Sequence, residues 1–251
     1  MNPNTISIIV FASLFASAIL AMRLRMLLPD PHLNTDTKDT VKLTMGLVAT
    51  MTALVLGLLV ASTKQAYDTE KSEVTQMAAK IIYLDHVLAD YGPETAETRK
   101  MLRVTVEKAI ALMWPDEKSS DARPAPSASW NESLPGSIHK LSPQNDLQRA
   151  AQSQAVALAN ELRQMRWLLF EQSETSISMP MLVVVICWLG ILFFSFGLFA
   201  PANGTAIGAL MVAPVSVAGA IFLILELDHP FDGLIDISSQ PMRNSLAHLG
   251  E

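Results

Sequence analysis

The stretch LTMGLVATMTALVLGLLVAS, Leu43–Ser62, runs through 20 residues without a single Asp, Glu, Lys, Arg or His. An α-helix of ~20 such residues covers the ~30 Å of hydrocarbon in a bilayer. One ionised side chain at its centre would cost ~2.5–3.5 kcal/mol on insertion scales. Three further runs have the same character: Ile6–Met22, Met181–Phe199 and Thr205–Leu225. Together they predict an all-α integral membrane protein with four spans.

Composition agrees with this and adds to it. Half of the 251 residues are hydrophobic, yet 17% are charged, more than a bare membrane bundle would hold, so a sizeable polar region is expected as well. The net charge of −6 argues against nucleic-acid binding, which needs a clustered basic face. The one cysteine, Cys187, lies within a span, so no intrachain disulfide is possible. No zinc-spaced Cys/His cluster, dinucleotide fingerprint, P-loop or nucleophile elbow occurs. The polar catalytic groups of an intramembrane enzyme would be conspicuous in the spans and are absent, so no covalent chemistry is expected. The first run has no basic residues before it and Arg23 and Arg25 after it, which reads as a retained span rather than a signal peptide.

The spans form two hairpins. Residues 1–62 hold the first and 179–225 the second, whose turn is Ala200-Pro-Ala-Asn-Gly204. Between them lies a polar insert, 63–178, and after them an acidic juxtamembrane tail, 226–251; four spans put insert and tail on one side. No Gly or Pro occurs between Ser62 and Gly92, so the second span is expected to continue as an amphipathic helix, with Val74, Met77, Ile81, Leu84 and Leu88 on its apolar face. Pro93 suits the start of a new helix whose apolar face is Leu102, Val106, Ala109 and Met113. Residues 116–143, rich in Ser, Pro, Ala and Asp, read as a mobile loop. A third helix carries the heptad seam Ala151, Ala155, Leu158, Leu162, Met165 and Leu169. That seam packs either on the second span's extension or on a neighbouring subunit. The arginines after the first span place the amino end outside.

Two features are candidate functional sites. In the second span Ala49, Ala53, Gly57 and Ala61 recur every four residues, and Ala206, Ala209, Ala213, Ser216 and Ala220 form a similar face in the fourth. Small residues let helices approach closely in lipid. They serve either packing within one bundle or a ring of subunits around a pore. Pro214 is expected to kink the fourth span. At that span's exit, Glu226, Asp228, Asp232 and Asp236 form an acidic cluster. It reads as a cation site or a vestibule that attracts cations, or as a solvated helix end. No cofactor is expected beyond a bound cation there.

Three blocks, DTKDTVKLTMGLVATMTALVLGLLVAS (36–62), FEQSETSISMP (170–180) and FLILELDHPFDGLIDISSQPMR (222–243), resemble a bacterial bestrophin-like membrane family. Bestrophins are pentameric, chiefly anion-conducting channels with four membrane helices per subunit, a helical cytosolic domain and cytosolic termini. The resemblance implies a homo-oligomeric ion channel in the bacterial cytoplasmic membrane, with lipid, inorganic ions and copies of itself as partners. It also implies a cytoplasmic insert and tail, opposite to the Arg23/Arg25 signal. Pro230-Phe231 with Asp228 and Asp232 resembles the animal channels' calcium clasp, but the acidic run is interrupted. The aromatic neck has no match, since the second span lacks Phe, Tyr and Trp. Ion selectivity is left unassigned. The alternative is a non-conducting scaffold or sensor whose insert binds a partner.

Overall fold

The computed structural model describes residues 2–27, 29, 35–114, 128–172, 179–201, 203–231 and 233–250, with the backbone alone for 128–133 and 172. Its elements are helices: α1 (Pro3–Arg25), α2 (Thr35–Tyr91), α3 (Ala96–Met113), α4 (Ala128–His139), α5 (Asp146–Gln172), α6 (Met179–Phe199), α7 (Gly204–Leu227) and α8 (Gln240–His248). Among the described residues there is no strand. Four helices, α1, α2, α6 and α7, are long and apolar enough to cross a membrane. The chain divides into two compact units, Met1–Ala66 with Ile177–Asp228, and Tyr67–Ser176 with His229–Glu251. α2 is one unbroken helix that contributes to both.

In the first unit α1 packs along α6 and α7. Val10, Leu14 and Ala18 of α1 meet Leu182, Val185, Leu189 and Phe193 of α6 and Leu210, Ile221 and Ile224 of α7, and Leu59 of α2 joins this core. Lipid supplies no hydrophobic drive for such pairing, so close approach and hydrogen bonds hold it. Both occur between α1 and α6. A Cβ built on Gly197 would collide with the Ala18 carbonyl, so only glycine lets the two backbones come this near. The Ser17 hydroxyl donates to the Gly190 carbonyl at 3.0 Å. At the end of α1, Arg25 donates to the Ala200 carbonyl, placing a cation on the negative end of the α6 dipole. α7 starts at Asn203, whose side chain accepts from the Ala206 N–H at 2.8 Å as an N-cap. Pro214 lies inside α7 and is buried.

The second unit has its own core. Val74, Met77, Ile81, Leu84 and Leu88 of α2 are buried, as the amphipathic pattern predicts, with Leu102, Val106 and Ile110 of α3. α2 ends at Gly92, which sits at φ +133°, a conformation open to glycine, and Pro93–Thr95 forms a single 3-10 turn before α3. Thr95 fastens this corner by donating to the Leu88 carbonyl (2.5 Å). The heptad seam of α5 packs within the chain. Ala155, Leu158 and Leu169 are buried, Lys80 pairs with Glu161 at 2.5 Å, and Gln154 donates to the Tyr83 hydroxyl. The seam is therefore used inside the protomer, and it no longer argues for contact with a neighbour.

One expectation is corrected. Of the stretch 116–143 read as a mobile loop, Ala128–His139 is helix α4, packed on α3 and α5. Leu134 and Ile138, four residues apart, are both buried and supply the apolar face that its Ser- and Pro-rich composition hides. Pro135 lies inside this helix. Residues 116–127 lie outside the described residues.

Candidate pore-lining face and membrane exit

Within its apolar run α2 turns only a narrow line inward. Thr52, Leu59 and Thr63 are buried, and Val55 and Leu56 are half-buried against the core. The small-residue stripe lies outside this line. Ala49 is half-buried, and Ala53, Gly57 and Ala61 are exposed. A Cβ added to Gly57 would meet nothing within 4 Å. Among the described residues, then, most of the stripe is uncovered. Leu43, Leu47, Leu54 and Leu58 are exposed as well, so α2 has a face of large apolar side chains beside the small one. Large side chains suit acyl chains, and small ones suit another helix.

The hydroxyls of this helix bond to its own backbone. Thr44 donates to the Thr40 carbonyl (3.0 Å), Thr50 to Leu47 (2.8 Å), Thr52 to Val48 (2.7 Å) and Thr63 to Leu59 (2.8 Å). Such back-bonding satisfies the hydroxyl without a partner helix. On α7, Ala206 and Ala220 are half-buried and Ala209, Ala213 and Ser216 are exposed. Gly208 and Gly219 also have no neighbour within 4 Å of a built Cβ.

The acidic candidates fall in different elements. Glu226 lies in the last turn of α7 and is buried, at 4% exposure. Asp228 follows as the C-cap and is half-buried. Neither residue is without a partner. Asp232 lies outside the described residues. Asp236 is exposed and belongs to the second unit. Among the described residues no three His, Cys, Asp or Glu side chains are grouped closely enough to hold a metal ion.

What secures the segment after α7 is aromatic, and the sequence reading passed over it. In the second unit Trp114 donates from Nε1 to the Ile237 carbonyl at 2.6 Å and meets Phe231 edge-on, with centroids 5.7 Å apart. The Ile237 N–H donates to the Pro230 carbonyl at 2.7 Å, closing the loop on itself. Tyr67 donates its hydroxyl to the Asp236 carbonyl at 3.1 Å. Asp236 thus contributes its backbone to this structure, while its carboxylate points to solvent. The sequence signal was a Trp at the end of a polar helix and a Tyr just beyond the apolar run of α2, where an amphipathic ring needs a hydrogen-bond partner once buried.

Further along, α8 returns to α2 and α3. Met242 and Ser245 are buried, and Arg103 donates to the Leu249 carbonyl at 3.0 Å. Arg99 forks onto Asp85 through two bonds of 2.8 and 2.6 Å, and the Gly250 N–H adds a third donor to the same carboxylate at 3.2 Å. Asp85 is thus an ion-pair position facing Arg99, while the adjacent His86 faces solvent.

The sequence profile of the bestrophin-like domain matches residues 10–242, from the first half of α1 to the start of α8. The chain belongs to the bestrophin-like family. No curated protein and no solved structure is significantly similar to it. Both units fall within the match, so the bestrophin-like domain comprises the four apolar helices together with the polar helical unit. With four such helices, this bestrophin-like chain is a membrane protein.

Proposed function

We propose that the protein is a homo-oligomeric channel that passes small ions across the bacterial cytoplasmic membrane, with the small-residue face of α2 turned toward the symmetry axis. The observation that carries this reading is the stripe Ala49, Ala53, Gly57 and Ala61, of which all but the half-buried Ala49 are exposed, with nothing among the described residues within 4 Å of a Cβ built on Gly57. A helix packed as a pore wall needs such a close-approach face, and a lumen without charges conducts or closes by wetting and dewetting. Family membership supports a channel, and the resemblance to bestrophins supports a pentamer. The polar unit and the tail then face the cytoplasm, and no catalytic role is assigned to any residue.

Two measurements test this together. Purified protein in planar bilayers is expected to conduct, and its mass in mild detergent is expected to correspond to a ring of copies. Gly57→Leu should suppress the current while leaving that mass unchanged, because a Cβ built there meets nothing within 4 Å. A monomeric mass in detergent and in native membranes would end the pore on a symmetry axis.

The acidic residues at the membrane exit are assigned to the pore mouth, where they would concentrate cations. Neutralising Glu226, Asp228 and Asp232 together is expected to reduce cation current most at low salt, since the screening length is ~30 Å at 0.01 M and ~10 Å at 0.1 M. A low-salt current unchanged by the triple neutralisation would return these residues to an ordinary helix end.

A second reading, a non-conducting scaffold or sensor, draws on the exposed Trp167 and Leu168 of α5, apolar side chains on the polar unit that suit a protein partner. A scaffold would give no conductance before or after Gly57→Leu.

A further inference from the structure

We propose that the loop 230–237 rests on the bilayer surface and inserts Leu234 at the boundary between lipid head groups and acyl chains. Leu234 is 78% exposed. It stands between the two ends of a closed loop, since the Ile237 N–H donates to the Pro230 carbonyl. Exposed leucines are common on protein surfaces, and exposure alone identifies no partner. The level at which this leucine is held does.

That level is set by α2. The apolar run of this helix ends at Ser62, and Tyr67 follows five residues later, ~7.5 Å along the axis at ~1.5 Å per residue. The head-group region on each side of a ~30 Å hydrocarbon core is about 5–8 Å deep. Helical side chains lean toward the helix N-terminus, which for α2 at this point is the membrane end. The Tyr67 hydroxyl donates to the Asp236 carbonyl at 3.1 Å and so ties the loop to head-group level.

The side chains that hold the loop agree with this depth. Trp114 donates to the Ile237 carbonyl and meets Phe231 edge-on, so a Trp, a Phe and a Tyr gather at the loop. Trp and Tyr are the side chains enriched where a membrane meets water. The loop contains no Lys or Arg, and Asp236 is exposed. Attraction to anionic lipid therefore does not drive the docking; burial of an apolar side chain does, and a zwitterionic phospholipid surface suffices. The acidic residues assigned to the pore mouth keep that role beside a lipid-facing loop, because at 0.01 M salt their field reaches ~30 Å. The inference rests on the membrane assignment and not on conduction.

A fluorophore at position 234 measures the depth. In a Cys187→Ser background, which leaves no other thiol, Leu234→Cys is labelled and placed in nanodiscs of phosphatidylcholine alone. Leu147→Cys, at a residue 83% exposed near the start of α5, is the solvated reference. Lipid carrying a nitroxide high on its acyl chain should quench the dye at position 234 and leave that at 147 bright, and iodide should do the reverse. Equal iodide quenching at the two positions would put Leu234 in water and overturn the proposal. Shielding of position 234 from both quenchers would give it to another copy or another protein, and would overturn it too. Unlabelled wild type provides a second measurement that does not depend on the cysteine variant. Phosphatidylcholine with a diazirine near its glycerol should label residues 230–237, as mapped by mass spectrometry, and Leu234→Asp should lose most of that label while the spans keep theirs. A wild-type loop without label sinks the idea. Conductance enters neither readout, so failure here and failure of the channel reading are told apart.

Discussion

Gly197→Leu is expected to separate α1 from α6 and to lose at least ~3 kcal/mol of stability, since overpacking a tight contact costs ~1–3 kcal/mol even where side chains can yield. Here the obstacle is the Ala18 backbone, and Ala18 is itself fully buried. Neither helix can relieve the clash by a rotamer change. α1 and α6 would have to move apart, stretching the Ser17–Gly190 bond and withdrawing Arg25 from Ala200. Heating the detergent-solubilised protein and following its elution should show a much lower midpoint for this variant, with Gly197→Ala in between. Gly190→Ala is the control: a Cβ there meets nothing within 4 Å, so its midpoint should stay close to wild type. Equal midpoints for Gly197→Leu and wild type would mean that α1 and α6 do not meet at this glycine.

The second large effect is at Asp85. Its side chain is 4% exposed, and that of Arg99 is 22% exposed. Asp85→Ala would leave the Arg99 fork and the Gly250 N–H without their shared acceptor. Breaking a buried pair by removing one member costs ~3–5 kcal/mol, and the partial exposure of Arg99 places this case near the lower figure, ~3 kcal/mol. Trp114 fluorescence should follow the loss, because its indole sits in the same unit against Ile237. The pair also carries a pH signature, and Asp85 lies well beyond the apolar run that ends at Ser62. Burial pushes its pKa upward, but the bonds from Arg99 and Gly250 and the charges of Arg99 and His86 outweigh it, leaving the carboxyl below its ordinary value. A depressed carboxylate stabilises the fold fully above its unfolded pKa of ~3.9, and that contribution fades as pH falls through the lower folded value. Wild type should therefore lose stability below about pH 4 more steeply than Asp85→Asn. Identical acid slopes would show that the pair contributes nothing to folding.

The elements that were legible in the sequence are those whose signal is local. A run of uncharged apolar residues marks a span wherever it occurs, and α1, α2, α6 and α7 lie where the runs place them. The absence of Gly and Pro after Ser62 announced the unbroken α2, and the three- and four-residue steps of Val74, Met77 and Ile81 named its buried face. Contacts between distant residues left no such mark. Nothing local to Gly197 distinguishes it from Gly190, because the difference lies in Ala18, on another helix. Helix α4 was hidden by composition, its Ser and Pro outweighing the pair Leu134 and Ile138 until α3 and α5 gave them something to cover.

The candidate sites divide on the same principle. Four-residue spacing identified the stripe on α2 but could not say whether the bundle would cover it, since that depends on where α1, α6 and α7 go. The acidic residues were grouped because they are close along the chain. α7 ends between them, and the chain then turns at Pro230 to tie itself to Trp114, which puts Glu226 in a helix and Asp236 on a solvated loop of the other unit.

The threonines of α2 have a consequence for what the helix offers to anything that approaches it. A backbone carbonyl can only accept, so the protons of Thr44 and Thr50 are committed to Thr40 and Leu47, and Ser216 on α7 is committed likewise to Val212 at 3.2 Å. Each of these exposed oxygens keeps its lone pairs outward and has no O–H left to give. At these three positions an approaching group meets hydroxyl oxygens able to accept rather than to donate.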